Sequence, residues 1–208
     1  MLWVVLANGD QKKEFLARGI SETVKIEWAS RIEEFLNHSN ADAFFDLLFN
    51  TSDARIKLLS QLLPKPVFIN SVVYRVTGFP FIHINAWSTF LQREMIEGDC
   101  SDEETRMMAE KIFSALNRNI IWITAIAGFI SPRVIAAIIN EAYYALEENV
   151  STKEEIDTAM KLGTNYPYGP FEWAQKIGLE NIYDLLAALG VTEKRYQPSG
   201  LLKKEALH

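Results

Sequence analysis

His83 stands between Ile82 and Ile84, and Glu94 lies nine residues beyond Asn85. An imidazole and a carboxylate held together can pass a proton to or from a substrate hydroxyl. On residue type alone each also has a plainer reading. A lone histidine in an apolar run serves the structure, and Glu94 beside Arg93 is a solvated helix acid. Gly9 follows the apolar run Trp3–Ala7, and Glu27 comes twenty residues after Ala7. A glycine turn after a first strand, with an acid about twenty residues on, is what the pyrophosphate and ribose of a dinucleotide require. Here the turn reads Ala7-Asn8-Gly9-Asp10-Gln11-Lys12, with one glycine where that fingerprint has three. An ordinary strand–turn–helix with no ligand stands beside that reading.

The elements that must position these residues fall into two patterns. The first half alternates short apolar runs with amphipathic stretches, as a parallel sheet with crossover helices requires. Trp3–Ala7, Val24–Trp28, Ala43–Phe49, Pro66–Ser71, Phe81–Asn85 and Asn119–Ala125 read as strands. Ile32–Leu36 reads as a helix, Ser52 caps a helix through Leu63, Trp87–Glu97 is helical or irregular, and Asp102–Asn117 is a helix with acids at its start. From Ser131 the period is helical throughout. Ile135, Ile138, Ile139, Ala142 and Leu146 give Val134–Leu146 an apolar arc so wide that a bundle or an oligomer interface must cover it. The fold class is therefore α/β plus all-α, a reduced Rossmann-like domain over 1–127 followed by a helical domain over 128–208.

Composition narrows the function classes. The 208 residues carry a net charge of −6, with 49% hydrophobic and 23% charged residues, which suits a globular protein and argues against nucleic acid as main partner. Cys100 is the single cysteine, so no intrachain disulfide forms, and a reducing, cytoplasmic setting is expected. The apolar run at Leu2–Ala7 has no basic leader, and Ile120–Ile130 is too short for a bilayer, so no secretory signal and no membrane partner are expected.

One stretch is far more specific than any of these. Asp157–Trp173 reads D-T-A-M-K-L-G-T-N-Y-P-Y-G-P-F-E-W, a helix, a stop, and a Pro/Gly turn that launches a second helix. Ser151 with Glu154 has the form of a capping box, and Gly163 stands where a left-handed C-cap is expected. This string resembles the C-terminal signature of the 3-hydroxyacyl-CoA dehydrogenase family, close to D-T-A-M-K-L-G-x-G-Y-P-M-G-P-F-E. Gly128-Phe129-Ile130-Ser131-Pro132-Arg133 is similar to that family's G-F-I-V-N-R. The resemblance is strong from Gly128 to about Tyr196 and weak before it.

The resemblance implies NAD as cofactor, an acyl-CoA-like substrate, and a homodimer formed through the helical domain. It assigns cofactor contacts to Gly9, Lys12 and Glu27. Lys12 replaces the third glycine and Asp10 puts a carboxylate near the phosphates. At an effective dielectric of ~20, like charges ~4 Å apart cost on the order of 4 kcal/mol, which Lys12 and Lys13 offset. For chemistry the family uses a histidine base in H-F-F-N-P and a glutamate nine residues after the Asn. Placing Asn85 on that Asn puts Glu94 at the glutamate and Ile82 at the base, with His83 one residue late. A one-residue slip on a strand turns the side chain to the other face unless a bulge intervenes. The implied catalytic set is His83 as base, Glu94 as its orienter, and Asn70 or Ser71 at the substrate oxygen, from a stretch similar to S-N-T-S. Pro132 stands where the family has an asparagine.

Three readings follow. The chain is a diverged 3-hydroxyacyl-CoA dehydrogenase homologue that acts on or binds a 3-hydroxyacyl- or 3-ketoacyl-CoA. Alternatively it is a non-catalytic dimeric binding or assembly protein derived from that family. In a third, the α/β domain hosts different chemistry through Asn85, Trp87 and Glu94.

Overall fold

The computed structural model describes residues 1–124 and 126–208 and divides into two compact units, Met1–Ile126 and Ala127–His208. The strands of the first unit are β1 (Leu2–Leu6), β2 (Lys25–Ala29), β3 (Ala43–Asp46), β4 (Val67–Asn70), β5 (Ile82–Ile84), β6 (Met95–Asp99) and β7 (Asn119–Trp122). They form one sheet in the order β2-β1-β3-β4-β5-β6-β7. Neighbours run parallel except β5 and β6, which are antiparallel.

Successive residues of a strand face opposite sides, and here both sides are buried. Trp3, Val5, Phe45, Phe68 and Ile82 pack on one face beneath α1 (Gly9–Leu16) and α3 (Glu103–Ser114), through Phe15, Ala109 and Phe113. Val4, Leu6, Phe44 and Ile69 pack on the other beneath α2 (Asp53–Ser60) and a short 3-10 helix, through Leu59 and Phe35. Phe45 and Phe68 stack in the middle with centroids 4.3 Å apart. Arg118 is buried and ties this layer together. It donates to the carbonyls of Leu91 (2.9 Å), Phe15 (3.0 Å), Leu116 (3.1 Å) and Glu14 (2.7 Å), closing the C-terminal turn of α1.

Several sequence expectations shift. Ile32–Asn37 is a 3-10 helix rather than an α-helix, and β3 stops at Asp46, where the forked Arg55–Asp46 pair begins the turn toward α2. Ser52 occupies the N-cap position of α2, but its side chain makes no capping bond. Trp87–Glu97 splits: residues 87–94 are irregular, and the strand β6 begins at Met95. Of the strand expected over Asn119–Ala125, Ala125 lies outside the described residues.

The second unit holds α4 (Ser131–Glu147), α5 (Lys153–Thr164), α6 (Pro170–Ile177), α7 (Leu179–Gly190) and α8 (Gly200–Ala206). Ile135, Ala136, Ile139 and Ala142 bury one side of α4, which packs on α6, α7 and α8. Gly128 enters this bundle with φ +85°, and a Cβ there would lie 2.7 Å from Leu185 Cδ1 and 2.8 Å from Arg133 Cγ, so only glycine fits. The Arg133 side chain donates from Nε to the Ala127 carbonyl at 2.7 Å. The capping box of α5 is Thr152 with Glu155, one residue beyond the expected Ser151 and Glu154. The left-handed C-cap is Asn165 at φ 57°, and Gly163 lies inside the helix.

Candidate functional site

Open parallel sheets bind ligands outside the carboxyl ends of their strands, where the strand order reverses. In this sheet the reversal falls between β1 and β3. Asn8 caps α1 there, accepting from the Gln11 amide at 2.8 Å, while Gln11 Oε1 accepts from the Asn8 amide at 3.1 Å. Gln11 is itself buried and reaches across the crevice, donating from Nε2 to the Leu47 carbonyl at 2.8 Å and toward that of Ala86 at 3.4 Å. Asn70 completes the stitch, donating to Leu47 at 3.2 Å and accepting from the Ala86 amide at 3.0 Å. The carboxyl ends of β1, β3, β4 and β5 are thus joined by two side-chain amides.

These residues do not fit a dinucleotide in the usual way. A Cβ on Gly9 would meet no protein atom within 4 Å, so packing within the chain does not require glycine there. Lys12 lies over the Trp28 ring at 5.1 Å, and Asp10 pairs with Lys13 at 3.0 Å on the surface. Glu27 sits in the middle of β2 rather than at its end, paired with Lys25 at 2.6 Å. The Lys25 hydrogen bond and charge hold its carboxyl below the usual range. Among the helix donors that would meet a pyrophosphate, the Gln11 amide is engaged by the Asn8 side chain, and the Gln11 side chain spans the space beside them.

The β5–β6 pair carries two polar rungs on one face. Ile82 and Ile84 point into the core beneath α3, so His83 points the other way, toward α2's side of the sheet. It is 2% exposed, with Asp99 opposite it in the ladder and the two side chains 4.0 Å apart. His83 Nε2 accepts from the Val76 amide at 3.1 Å, which places the ring proton on Nδ1. Burial, and next the charge of Arg75, push its pKa down from 6.5 to about 4. Arg75 forms an ion pair with Asp99. Two residues along, Asn85 donates to Glu97 Oε2 at 3.3 Å and accepts from the Trp87 amide at 3.3 Å. Glu97 is only 8% exposed. Arg93 stacks on Phe90 at 4.2 Å, and burial lowers its pKa against the pull of Glu97 and Glu14.

The structure therefore does not bring His83 and Glu94 together. Glu94 precedes β6 and pairs with Arg18 at 3.1 Å, five residues before the Asp99 that faces His83, or about 16 Å at strand rise. Ser71 donates to the Tyr74 carbonyl, inside the crossover that follows β4. Asn70 is beside Ala86 and thus near Asn85. Sequence reasoning missed Glu97 and Asp99, whose signal was the run Met95-Ile96-Glu97-Gly98-Asp99. Twelve residues separate Asn85 from Glu97. With Asn85 at the motif's asparagine, Glu97 lies three residues past the position that Glu94 holds.

The helical unit explains its own signature string. Gly169 precedes α6 and has no side chain with which to cap it. Asp157 of α5 supplies the oxygens instead, accepting from the amides of Phe171 at 2.8 Å and Glu172 at 3.2 Å. Pro170 at the first helical position needs no acceptor. Glu172 reaches back to the Gly169 amide at 3.0 Å and pairs with Lys161 at 2.5 Å. D, K, G, P and E of the motif thus form one helix–helix joint.

Comparison with known proteins agrees with this joint. Residues 128–207 match the family described as 3-hydroxyacyl-CoA dehydrogenase, C-terminal domain. A probable 3-hydroxybutyryl-CoA dehydrogenase of Bacillus subtilis is 32% identical over 160 residues, covering 76% of this chain and 53% of the relative. The 3-hydroxyadipyl-CoA dehydrogenase of Escherichia coli is 42% identical over 92 residues, covering 43% of this chain and 19% of that one. The chain spans about half or less of the length of these relatives. The crystal structure of (S)-3-hydroxybutyryl-CoA dehydrogenase from Ralstonia eutropha matches with a TM-score of 0.74 at 18% identity, covering 98% of this chain and 92% of that one, a likeness of fold. The helical unit, over residues 128–207, therefore belongs to the 3-hydroxyacyl-CoA dehydrogenase family as its C-terminal domain.

Proposed function

We propose that this chain is a diverged family member that binds a 3-hydroxyacyl- or 3-oxoacyl-CoA thioester and carries out hydride transfer poorly or not at all. The observation that carries this reading is that the buried acid beside the strand, Glu97, accepts from the Asn85 amide at 3.3 Å, while Glu94 is paired with Arg18 away from His83. An amide orients and hydrogen-bonds a substrate oxygen but takes no proton at neutral pH. The Gln11 stitch across the crevice supports the same conclusion for the cofactor. Binding is measured by calorimetry on the full chain with acetoacetyl-CoA, with and without NADH. Micromolar thioester binding that ignores NADH, and that weakens in Glu97→Gln, supports the reading. NADH binding tightened by the thioester, with turnover, overturns it.

The second reading is a working NAD-dependent 3-hydroxyacyl-CoA dehydrogenase, favoured by the name and 32% identity of the Bacillus relative over 76% of this chain. It uses His83 as base, Glu94 as orienter, Asn70 or Ser71 at the substrate oxygen, and Gly9, Lys12 and Glu27 at NAD. Turnover lost in both His83→Ala and Glu94→Gln supports it. In either reading we propose a homodimer through α4, where Val134 is 52% exposed and Ile130, the residue just before the helix, is 55% exposed. A monomer at micromolar concentration in sedimentation refutes the dimer.

A further inference from the structure

The crossover from β4 to β5, residues 71–81, contains no helix. It leaves the carboxyl end of β4 and descends the face that carries His83 to the opposite edge of the sheet. On the way Val76 bonds to His83 and Arg75 to Asp99. Between this loop and the residues that follow β6 lies a cavity of about 450 Å³, lined among others by Arg75, Thr77, Phe79, His83, Ser101 and Asp102. It opens at the amino-terminal edge of β5, away from the Gln11–Asn70 crevice.

We propose that this cavity is a binding site for a small planar monocarboxylate, an aromatic or unsaturated acid, separate from the thioester site. Its volume suits a small ligand, and it combines apolar walls with a few convergent polar groups. The Arg75 side chain is partly exposed at the cavity although paired with Asp99, and a guanidinium offers more N–H groups than one carboxylate consumes. Thr77 and Ser101 add hydroxyls. Phe79 is 36% exposed and stacks on Phe81 at 5.3 Å, leaving a ring face at the mouth. A second, independent observation lies on the floor. His83 is almost wholly buried, and its Nδ1, which holds the ring proton, makes no well-formed hydrogen bond: the Phe81 backbone is poorly placed for it and the Asp99 carboxylate is 4.0 Å away.

Charge selects the class of anion. The amino terminus of α3 faces the cavity through Asp102, whose carboxylate is engaged by the Thr105 amide at 2.7 Å and hydroxyl at 2.6 Å. Asp99 is engaged by Arg75. These groups sum to one negative charge, which repels a dianion about twice as strongly as a monoanion, and only the weaker repulsion is offset by the open edge of the guanidinium. A planar carboxylate fits that edge two oxygens to two N–H groups, with its plane continued onto Phe79.

The test is a titration of the isotope-labelled full chain with sodium benzoate near neutral pH, followed by NMR of the His83 imidazole and the Val76, Phe79 and Ser101 amides. Expected are saturable shifts at these four positions with a Kd of about 0.1–1 mM. Phe79→Ala and Thr77→Val, both on the exposed rim, leave the fold intact. Phe79→Ala is expected to weaken benzoate about tenfold. Inorganic phosphate that binds as tightly as benzoate overturns the assignment, as do unchanged affinity in Phe79→Ala or an absence of saturable shifts at about 20 mM benzoate. Acetoacetyl-CoA added to the benzoate-saturated protein leaves these shifts in place. Displacement of benzoate by the thioester overturns the separateness of the two sites, whereas failure of the thioester to bind leaves this site standing.

Discussion

Gly169→Ala is the sharpest test of the helix–helix joint. A Cβ at Gly169 would stand 2.3 Å from Asp157 Cγ and Oδ1 and 2.4 Å from Asp157 Cβ. Ordinary contact for such atoms begins near 3.4 Å, so the carboxylate must retreat by about an ångström. Asp157 is short and buried, and it retreats only by releasing the Phe171 and Glu172 amides now held at 2.8 and 3.2 Å. Hydrogen bonds to a charged acceptor contribute roughly 1.5–3 kcal/mol each, and water recovers part of that at the more open Glu172. The expected loss is about 2–4 kcal/mol. Asp157→Ala removes the same two bonds and is expected to cost about 2 kcal/mol, in the range of a lost cap. The decisive experiment is the double-mutant cycle, read by urea unfolding with Trp173, buried in α6, as fluorescent reporter. Once Asp157 is alanine, the contacts with Cγ and Oδ1 are gone and only the Cβ contact at 2.4 Å remains, with no amide bonds left to lose, so Gly169→Ala should then cost clearly less than in the wild type. Additive losses in the cycle would falsify the joint, because they would mean that Gly169 is required for some reason other than the approach of Asp157.

Arg118→Met leaves four carbonyls without their donor and is expected to cost about 3 kcal/mol by thermal or urea unfolding, with Arg118→Lys recovering less than half; an intact Tm in Arg118→Met refutes the closing role. His83 titrates near 6.5 in the unfolded chain and at about 4 in the fold. Its contribution is therefore complete above about pH 6.5 and is lost as pH falls toward 4, on the order of 3 kcal/mol in all. Unfolding of His83→Gln across that window should be visibly flatter than wild type, and parallel curves count against the assignment. Asn165 holds φ 57° and ψ 32°, so Asn165→Ala is expected to lose about 1 kcal/mol while Asn165→Gly loses little or nothing. Equal losses in the two variants refute the left-handed cap.

What could be read in the sequence was what periodicity expresses. The continuous apolar runs gave β1, β4 and β5, and the acid-led amphipathic stretch gave α3. β6 was not legible, because its outward-reading residues are not outward. Ile96 faces the core beneath α3, while Glu97 and Asp99 on the opposite face are buried against Asn85 and Arg75. A buried polar face looks in sequence like a wet one. Placing the site suffered from the same blindness. Glu94 was chosen by counting from an asparagine, but it is a surface acid bound to Arg18, and the buried acid is Glu97. The α5 cap failed for another reason. Ser151/Glu154 and Thr152/Glu155 offer the same spacing one residue apart, and only the incoming chain direction decides between them.

The β5–β6 seam has a consequence for how the molecule assembles. The ladder there has two rungs, His83 to Asp99 and Ile84 to Gly98, extended by the Asn85 amide bonding to the Glu97 carbonyl at 3.0 Å. Aliphatic strands tolerate sliding by two residues, since every side chain returns to its own face. This seam does not, because a slide of two puts Asn85 against Asp99 and carries Asp99 away from Arg75. β7 hangs on β6, so its alignment with the rest of the sheet is inherited from that choice. The alignment of the two parts of the sheet thus depends on ionised and polar side chains as well as on packing. A chain collapsing in acid, with these carboxyls uncharged, would lose the electrostatic preference that picks one alignment over its neighbour.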